Sequence, residues 1–151
     1  MVFHASEGLR FGRISGVGRV YLLTCQVDQQ LPVFENMWLA RLVVREFRQI
    51  ESEGFIGSLA WVVMPDHVHW LVELQQGTLS CLMQRFKSRT ARAVNQVRQC
   101  SGRLWQPGFH DRALRREEDV VAVARYIVAN PIRAGLVKSV RDYPHWDAVW
   151  L

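Results

Sequence analysis

Residues 58–74 constrain the fold more tightly than any other part of the chain. Ser58–Val63 and His67–Leu74 are two short runs rich in valine, leucine and tryptophan, separated by Met64-Pro65-Asp66. Two such runs around a turn read as an antiparallel pair of strands. The second run, His67-Val68-His69-Trp70-Leu71-Val72-Glu73-Leu74, is the more informative. Alternate side chains of a strand point to opposite faces, so Val68, Trp70, Val72 and Leu74 make one wholly apolar face. His67 and His69 then project together from the other.

The flanking segments extend this pair into a fold. Val20–Val27 is β-branched and apolar and reads as a strand. Asn36 can cap a helix reaching about Glu53, with Leu39, Leu42, Val43, Phe47 and Ile50 as its buried stripe and Gly54 as its stop. A second helix is expected over Leu79–Gln99, with Leu82, Phe86, Ala93, Val94 and Val97 facing the core. Ser101-Gly102 and Pro107-Gly108 break the chain before a fourth strand at Phe109–Leu114. A third helix follows over about Glu117–Ala129, opened by acids and ended by Pro131. The order β-α-β-β-α-β is that of the ferredoxin-like split βαβ unit, an α+β antiparallel sheet, here with an additional C-terminal helix.

With 151 residues, no internal repeat and no low-complexity linker, the chain is expected to form one domain over residues 1–151. Residues 1–19, with Gly8, Gly12, Gly16 and Gly18 among Arg10, Arg13 and Arg19, read as a loose basic arm. Residues 138–151, with Tyr143, Trp146 and Trp150, read as a tail docked on the body. No apolar run is long enough to cross a bilayer, and no apolar stretch of a secretory leader opens the chain. Cys25, Cys81 and Cys100 are odd in number and lack CxxC spacing, so they read as reduced, partly buried thiols of a cytoplasmic protein.

The formal net charge is +5, and its distribution matters more than its size. Between Gln84 and Arg116 stand nine Lys and Arg (Arg85, Lys87, Arg89, Arg92, Arg98, Arg103, Arg112, Arg115 and Arg116) against one acid, Asp111. Such a block suits a polyanion, because each neutralised phosphate releases counterions. It equally suits a solvated helix face. On the second helix Arg85, Arg89 and Arg92 share one side.

Two sites carry potential chemistry. Imidazoles at i and i+2 of a strand, as in His67 and His69, can share a cation, although two ligands do not name the metal. Surface or hydrogen-bonded histidines are the other reading. Asp66 is either a turn residue or an acceptor for an imidazole N–H. On the third helix, Val120, Ala124, Ile127 and Val128 gather as the core face. Tyr126 falls nearly opposite, among Asp119, Ala122, Ala129 and Asn130, free to receive a substrate or to pack by its ring. The amide oxygen of Asn130 lies one turn later on the same side and can join a metal site. A phenolate can attack a phosphodiester and keep the broken strand attached. A divalent cation polarises and orients such a phosphate. His110 and Asp111 read as structural, Arg112 as a phosphate contact, Trp105 as a buried indole, and Trp61 and Trp70 as core.

The segments LAWVVMPDHVHWLVEL, RFKSR, LWQPGFHDRALRREED and ARYIVANPIRAGLV resemble the REP-associated tyrosine transposases. These are relatives of the single-tyrosine insertion-sequence transposases in the His-hydrophobe-His nuclease group. The likeness runs from about Arg10 to the terminal WDAVWL. It implies an enzyme that nicks and rejoins single-stranded DNA at imperfect palindromic hairpins. In that reading Tyr126 is the nucleophile, forming a 5′-phosphotyrosine and leaving a 3′-hydroxyl. His67 and His69 are the metal ligands, and Asn130 stands where the insertion-sequence relatives place a glutamine ligand. The implied cofactor is a divalent metal, Mg2+ or Mn2+. DNA contacts are expected from Arg85, Lys87, Arg89, Arg92, Arg112, Arg115 and Arg116. The expected partner is single-stranded or hairpin DNA, without a membrane, for a monomer or homodimer in the cytoplasm at the nucleoid. The runner-up is a hairpin-binding protein of the same fold that no longer cuts. Paired His-x-Thr phosphoesterases need a second motif that is lacking, and an RNA-binding sheet wants aromatics where this strand has histidines.

Overall fold

The computed structural model describes residues 4–5, 16–115 and 117–150, so most of the basic arm expected over 1–19, and Arg116, lie outside the described residues. Strands β1 (His4–Ala5), β2 (Val20–Gln26), β3 (Ile56–Val63), β4 (His67–Leu74), β5 (His110–Leu114) and β6 (Trp146–Ala148) form one sheet in the order β1-β5-β2-β4-β3-β6. Every pairing is antiparallel. The helices are α1 (Met37–Ser52), α2 (Leu79–Arg98), α3 (Glu117–Val128) and the single turn α4 (Asn130–Arg133). The four central strands, β5-β2-β4-β3 with α1 and α2 between them in sequence, are the ferredoxin-like arrangement expected from the sequence.

Local chemistry sets the helix limits. The side-chain oxygen of Asn36 accepts from the N–H groups of Trp38 (2.9 Å) and Leu39 (3.2 Å), satisfying two donors that the first turn of α1 leaves open. Gly54, at φ +85°, takes the left-handed conformation that turns the chain out of the helix. The hydroxyl of Thr78 caps α2 by accepting from Cys81 N–H at 3.1 Å.

The sheet is covered on both faces. Against one face, α1 and α2 bury Phe47 and Phe86 on Val68, Trp70, Val72 and Leu74, the apolar side of β4. The Phe47 ring lies 4.5 Å from that of Trp70 and 5.3 Å from that of Phe86. Emptying such a position costs about 3–5 kcal/mol, so this aromatic cluster anchors both helices to the strand. On the other face, Val120, Val123, Ala124, Ile127 and Val128 of α3 pack on Leu22, Ala60, Val62 and Leu71. A bulge between Ser58 and Ala60 shifts the alternation of β3 by one residue. Trp61 and Val63 therefore reach the α1–α2 core, while Ala60 and Val62 face α3.

The residues after α4 add to the sheet edge. β6 pairs with β3, the Tyr143 hydroxyl donates to Val63 O at 2.6 Å, and Val63 N–H donates to His145 O at 2.9 Å. These contacts clamp the end of β3 just before the Met64-Pro65-Asp66 turn.

Two expectations need correction. Val97 is 58% exposed rather than core, because the buried side chains of α2 stop at Val94 and the last turn projects past the sheet. Of the cysteines only Cys25 is buried, and burial pushes its thiol up to about 12; Cys81 and Cys100 are exposed. All three are free thiols.

Candidate active site

The turn before β4 is held from outside the hairpin. Val27 N–H donates to Asp66 O (2.8 Å), Phe34 N–H donates to Pro65 O (2.9 Å), and Met64 N–H closes the turn on His67 O (2.8 Å). His67 and His69 then leave β4 on the face opposite Val68 and Trp70, with ring centroids 4.9 Å apart. Each ring has an oxygen partner at Nδ1. For His67 it is the Asp66 carboxylate, 2.7 Å away; for His69 it is the Thr24 hydroxyl, 2.9 Å away. Both readings of Asp66 therefore hold, since it forms the turn and also meets the imidazole. An imidazole that donates Nδ1–H to oxygen presents a bare Nε2, the form that binds a metal. Burial, with smaller contributions from the neighbouring His67 and Arg133, holds His69 down to about 3, so its ring is neutral at ordinary pH.

Thr24 was not foreseen from the sequence. Its signal is slight, a threonine in a run of aliphatic, aromatic and thiol side chains over Val20–Cys25. The β2–β4 register sets Thr24 directly against His69.

The chain has three tyrosines, and the structure separates them sharply. Tyr21 is buried, and its oxygen accepts from Gly16 N–H at 2.8 Å. Tyr143 is buried as a donor to Val63 O, and burial pushes it up to about 12. Tyr126 is 51% exposed on the side of α3 away from its core stripe. One turn later, Asn130 begins α4, where Pro131 fits the first turn because its missing N–H would have no helical partner. Positions 126, 130 and 133 share one side, and there the guanidinium of Arg133 does three things. It lies 3.7 Å above the centroid of the Tyr126 ring. It donates to Asn130 Oδ1 at 2.8 Å. Its charge also helps to hold His69 down, by less than burial and the neighbouring His67 do. Arg133, too, was missed in the sequence, although its spacing from Tyr126 and Asn130 was the available signal.

Among the described residues, no three of His, Cys, Asp and Glu gather as a metal cage. The donors that fit a cation are the paired imidazoles with Nδ1 held in place, while the amide oxygen of Asn130 accepts from Arg133. An incomplete protein shell of this kind leaves positions open for substrate oxygens or water, as catalytic sites do.

The basic residues are less uniform than their sequence suggests. Arg89 pairs with Glu46 (3.0 Å) and Glu53 (2.7 Å) of α1, which holds the Glu53 carboxyl below its ordinary range and raises Arg89. Arg85 stacks on the ring of Phe55 at 3.9 Å. Lys87 donates to Gln106 O (2.8 Å) and Gly108 O (2.6 Å), fastening the 101–109 loop to α2. Arg92 and Arg115 are exposed and Arg112 is half-buried. Trp105 is the buried indole expected, donating to Thr90 Oγ1 at 2.9 Å. Asp111 is buried and His110 exposed.

Fold and site together define a ferredoxin-like protein with a histidine pair on a central strand and an exposed tyrosine on a following helix. The profile of the IS200-like transposases matches residues 21–130, and the chain belongs to that family. It is similar to the REP-associated tyrosine transposase of Escherichia coli K12, at 36% identity over 87 residues, 56% of this chain and 50% of that protein. A Haemophilus influenzae protein provisionally given the same name is 29% identical over 100 residues, 58% of this chain and 56% of that protein. The chain thus spans about half the length of the curated relatives it matches. A solved structure described as the REP-associated tyrosine transposase bound to a REP hairpin superposes with a TM-score of 0.75 at 23% identity, covering 89% of this chain and 79% of that one. That likeness bears out the α+β antiparallel fold. No helix among the described residues is long and apolar enough to cross a membrane.

Proposed function

We propose that this chain nicks and rejoins single-stranded DNA at hairpin elements through a covalent 5′-phosphotyrosine on Tyr126. The observation that carries the reading is the position of Tyr126. It is the one tyrosine of three whose side chain is exposed rather than buried, and it stands on α3 away from the core stripe. In the reaction the Tyr126 oxygen bonds to phosphorus as the bond from phosphorus to the 3′ oxygen breaks. The phenol proton passes to solvent, and the departing 3′ oxygen takes up a proton to become a hydroxyl. The DNA 5′ end stays on the protein until a 3′-hydroxyl attacks in reverse.

His67 and His69 would hold a divalent cation, Mg2+ or Mn2+, with Asn130 as a third ligand once its amide oxygen is released from Arg133. Bound there, it supplies Lewis-acid polarisation of the phosphate. Asp66 and Thr24 orient the two rings for that task. Arg92, Arg112 and Arg115 are proposed to meet the DNA backbone, because Arg85, Lys87 and Arg89 already have protein partners. Hairpin DNA is proposed as the substrate from the implied family activity and from the hairpin bound by the structural relative.

The test uses labelled single-stranded hairpins with flanks drawn from DNA adjoining the gene, with Mn2+ or with EDTA. A protein–DNA adduct that survives denaturant, needs the metal, maps to Tyr126 and is lost in Tyr126→Phe is the expected result. Hairpin binding without adduct or nick would leave the non-cleaving binder. Robust cleavage by Tyr126→Phe would make water the attacker.

A further inference from the structure

Arg133 is exposed, yet it is held in place from two directions. The face of Tyr126 supports the guanidinium at 3.7 Å, and Asn130 Oδ1 receives a hydrogen bond from Nη2 at 2.8 Å. A guanidinium has five N–H donors in a planar fork, so most of its donors remain available. Among the described residues no carboxylate lies within ion-pair distance of it, whereas Arg89 has two. An arginine that is oriented, unneutralised and open on one side is built to receive an anion. Its place selects which anion. A guanidinium 3.7 Å above the ring centroid stands beside the phenol oxygen of the same ring, within reach of a phosphate whose phosphorus meets that oxygen.

We propose that Arg133 is a further catalytic residue, whose guanidinium binds a non-bridging oxygen of the phosphodiester attacked by Tyr126. The inference rests on the phosphotyrosine reading above and names a residue that reading does not require. As the Tyr126 oxygen bonds to phosphorus and the 3′ oxygen leaves, negative charge grows on the non-bridging oxygens. A fixed donor aimed at that charge lowers the barrier more than it tightens substrate binding. The same geometry lets Arg133 keep the phenol ring beneath it while it holds the Asn130 amide oxygen.

The alternative is a structural role, in which Arg133 only pins Asn130 and Tyr126. The two separate in a cycle that removes the arginine and the phosphate charge independently. The full-length chain is given the flanking hairpin oligonucleotide, first as the ordinary diester and then with a neutral methylphosphonate at the mapped scissile link. Single-turnover adduct formation is measured in Mn2+ for wild type, Arg133→Ala and Arg133→Lys. On the diester, Arg133→Ala is expected to slow adduct formation about 100-fold, with hairpin affinity changed less than about threefold. Arg133→Lys, which keeps charge but loses the fork, should fall between. On the methylphosphonate, wild type and Arg133→Ala should agree within about threefold, because the charge the arginine serves is gone.

An equal slowing on both substrates, or none on the diester, overturns the proposal. Thermal melting of both variants in the absence of DNA verifies folding, and Arg133→Lys carries the test if the alanine variant melts early. A wild-type chain that forms no adduct on the diester refutes the phosphotyrosine reading itself. Arg133 then falls with it, by a result distinct from the two above.

Discussion

The Thr24 hydroxyl offers a sharp test of whether the histidine pair holds a metal. In Thr24→Val, the side chain keeps its volume but loses the oxygen 2.9 Å from His69 Nδ1. Thr24 is only 6% exposed, so water is poorly placed to substitute. In the tautomer that can bind a metal the ring donates Nδ1–H to that oxygen; without it the proton is free to move to Nε2, where it blocks the ligating nitrogen. Loss of such a supporting contact weakens metal binding about 10- to 100-fold. That corresponds to roughly 1.4–2.7 kcal/mol at 1.36 kcal/mol per tenfold. Asp66 supports His67 in the same way, but its side chain is 42% exposed. Water can replace it, and Asp66→Ala should cost about tenfold at most. Thr24→Val also removes one hydrogen bond of about 1 kcal/mol, lowering the melting temperature of the metal-free chain by about 2–4 °C. Calorimetric titration with Mn2+ measures the affinity, and thermal melting in EDTA measures the fold. A Thr24→Val chain that binds Mn2+ as tightly as wild type, or an Asp66→Ala chain hit harder, would refute the reasoning.

Other consequences are equally direct. His69 is held down to about 3 against an ordinary 6.5, so below pH 6.5 the unfolded chain takes up a proton that the folded chain refuses. Burial depresses His145 as well, so stability should fall as pH drops from 6.5 toward 3. Urea unfolding at pH 7.5 and 5.0 that showed equal or greater stability in acid would contradict this. Tyr143→Phe leaves the buried Val63 carbonyl without its donor and should cost about 1–3 kcal/mol in the same unfolding assay. Replacing Arg92, Arg112 and Arg115 by glutamine should flatten the salt dependence of hairpin binding by about 2, at ~0.7 per single-strand phosphate. Replacing Arg85 and Arg89 should change that slope less and stability more, since both are spent on Phe55, Glu46 and Glu53. The opposite ranking in binding titrations across KCl concentrations would show that these residues release their partners on binding.

Features with short-range causes are legible in the residues alone. Strand alternation separates His67 and His69 from Val68 and Trp70 wherever β4 is placed. Asn36 and Gly54 bound the first helix because capping depends only on adjacent backbone groups. Helical periodicity turns Tyr126 away from Val120, Ala124 and Ile127, and the structure agrees in each case. Together these sufficed for the order β-α-β-β-α-β. What stands across from each side chain depends on how the elements pack. Thr24 meets His69 through a strand register joining residues 45 positions apart. Arg89 meets Glu46 and Glu53 because α1 and α2 pack side by side, turning an apparently free basic face into an internal contact. The bulge at Ser58–Ala60 and the pairing of β6 with β3 likewise depend on partners far along the chain. Even Arg133, close in sequence to Tyr126, became legible only once its guanidinium was seen over the phenol ring. Spacing fixes which residues share a side, but rotamers and burial fix what a long, flexible side chain touches.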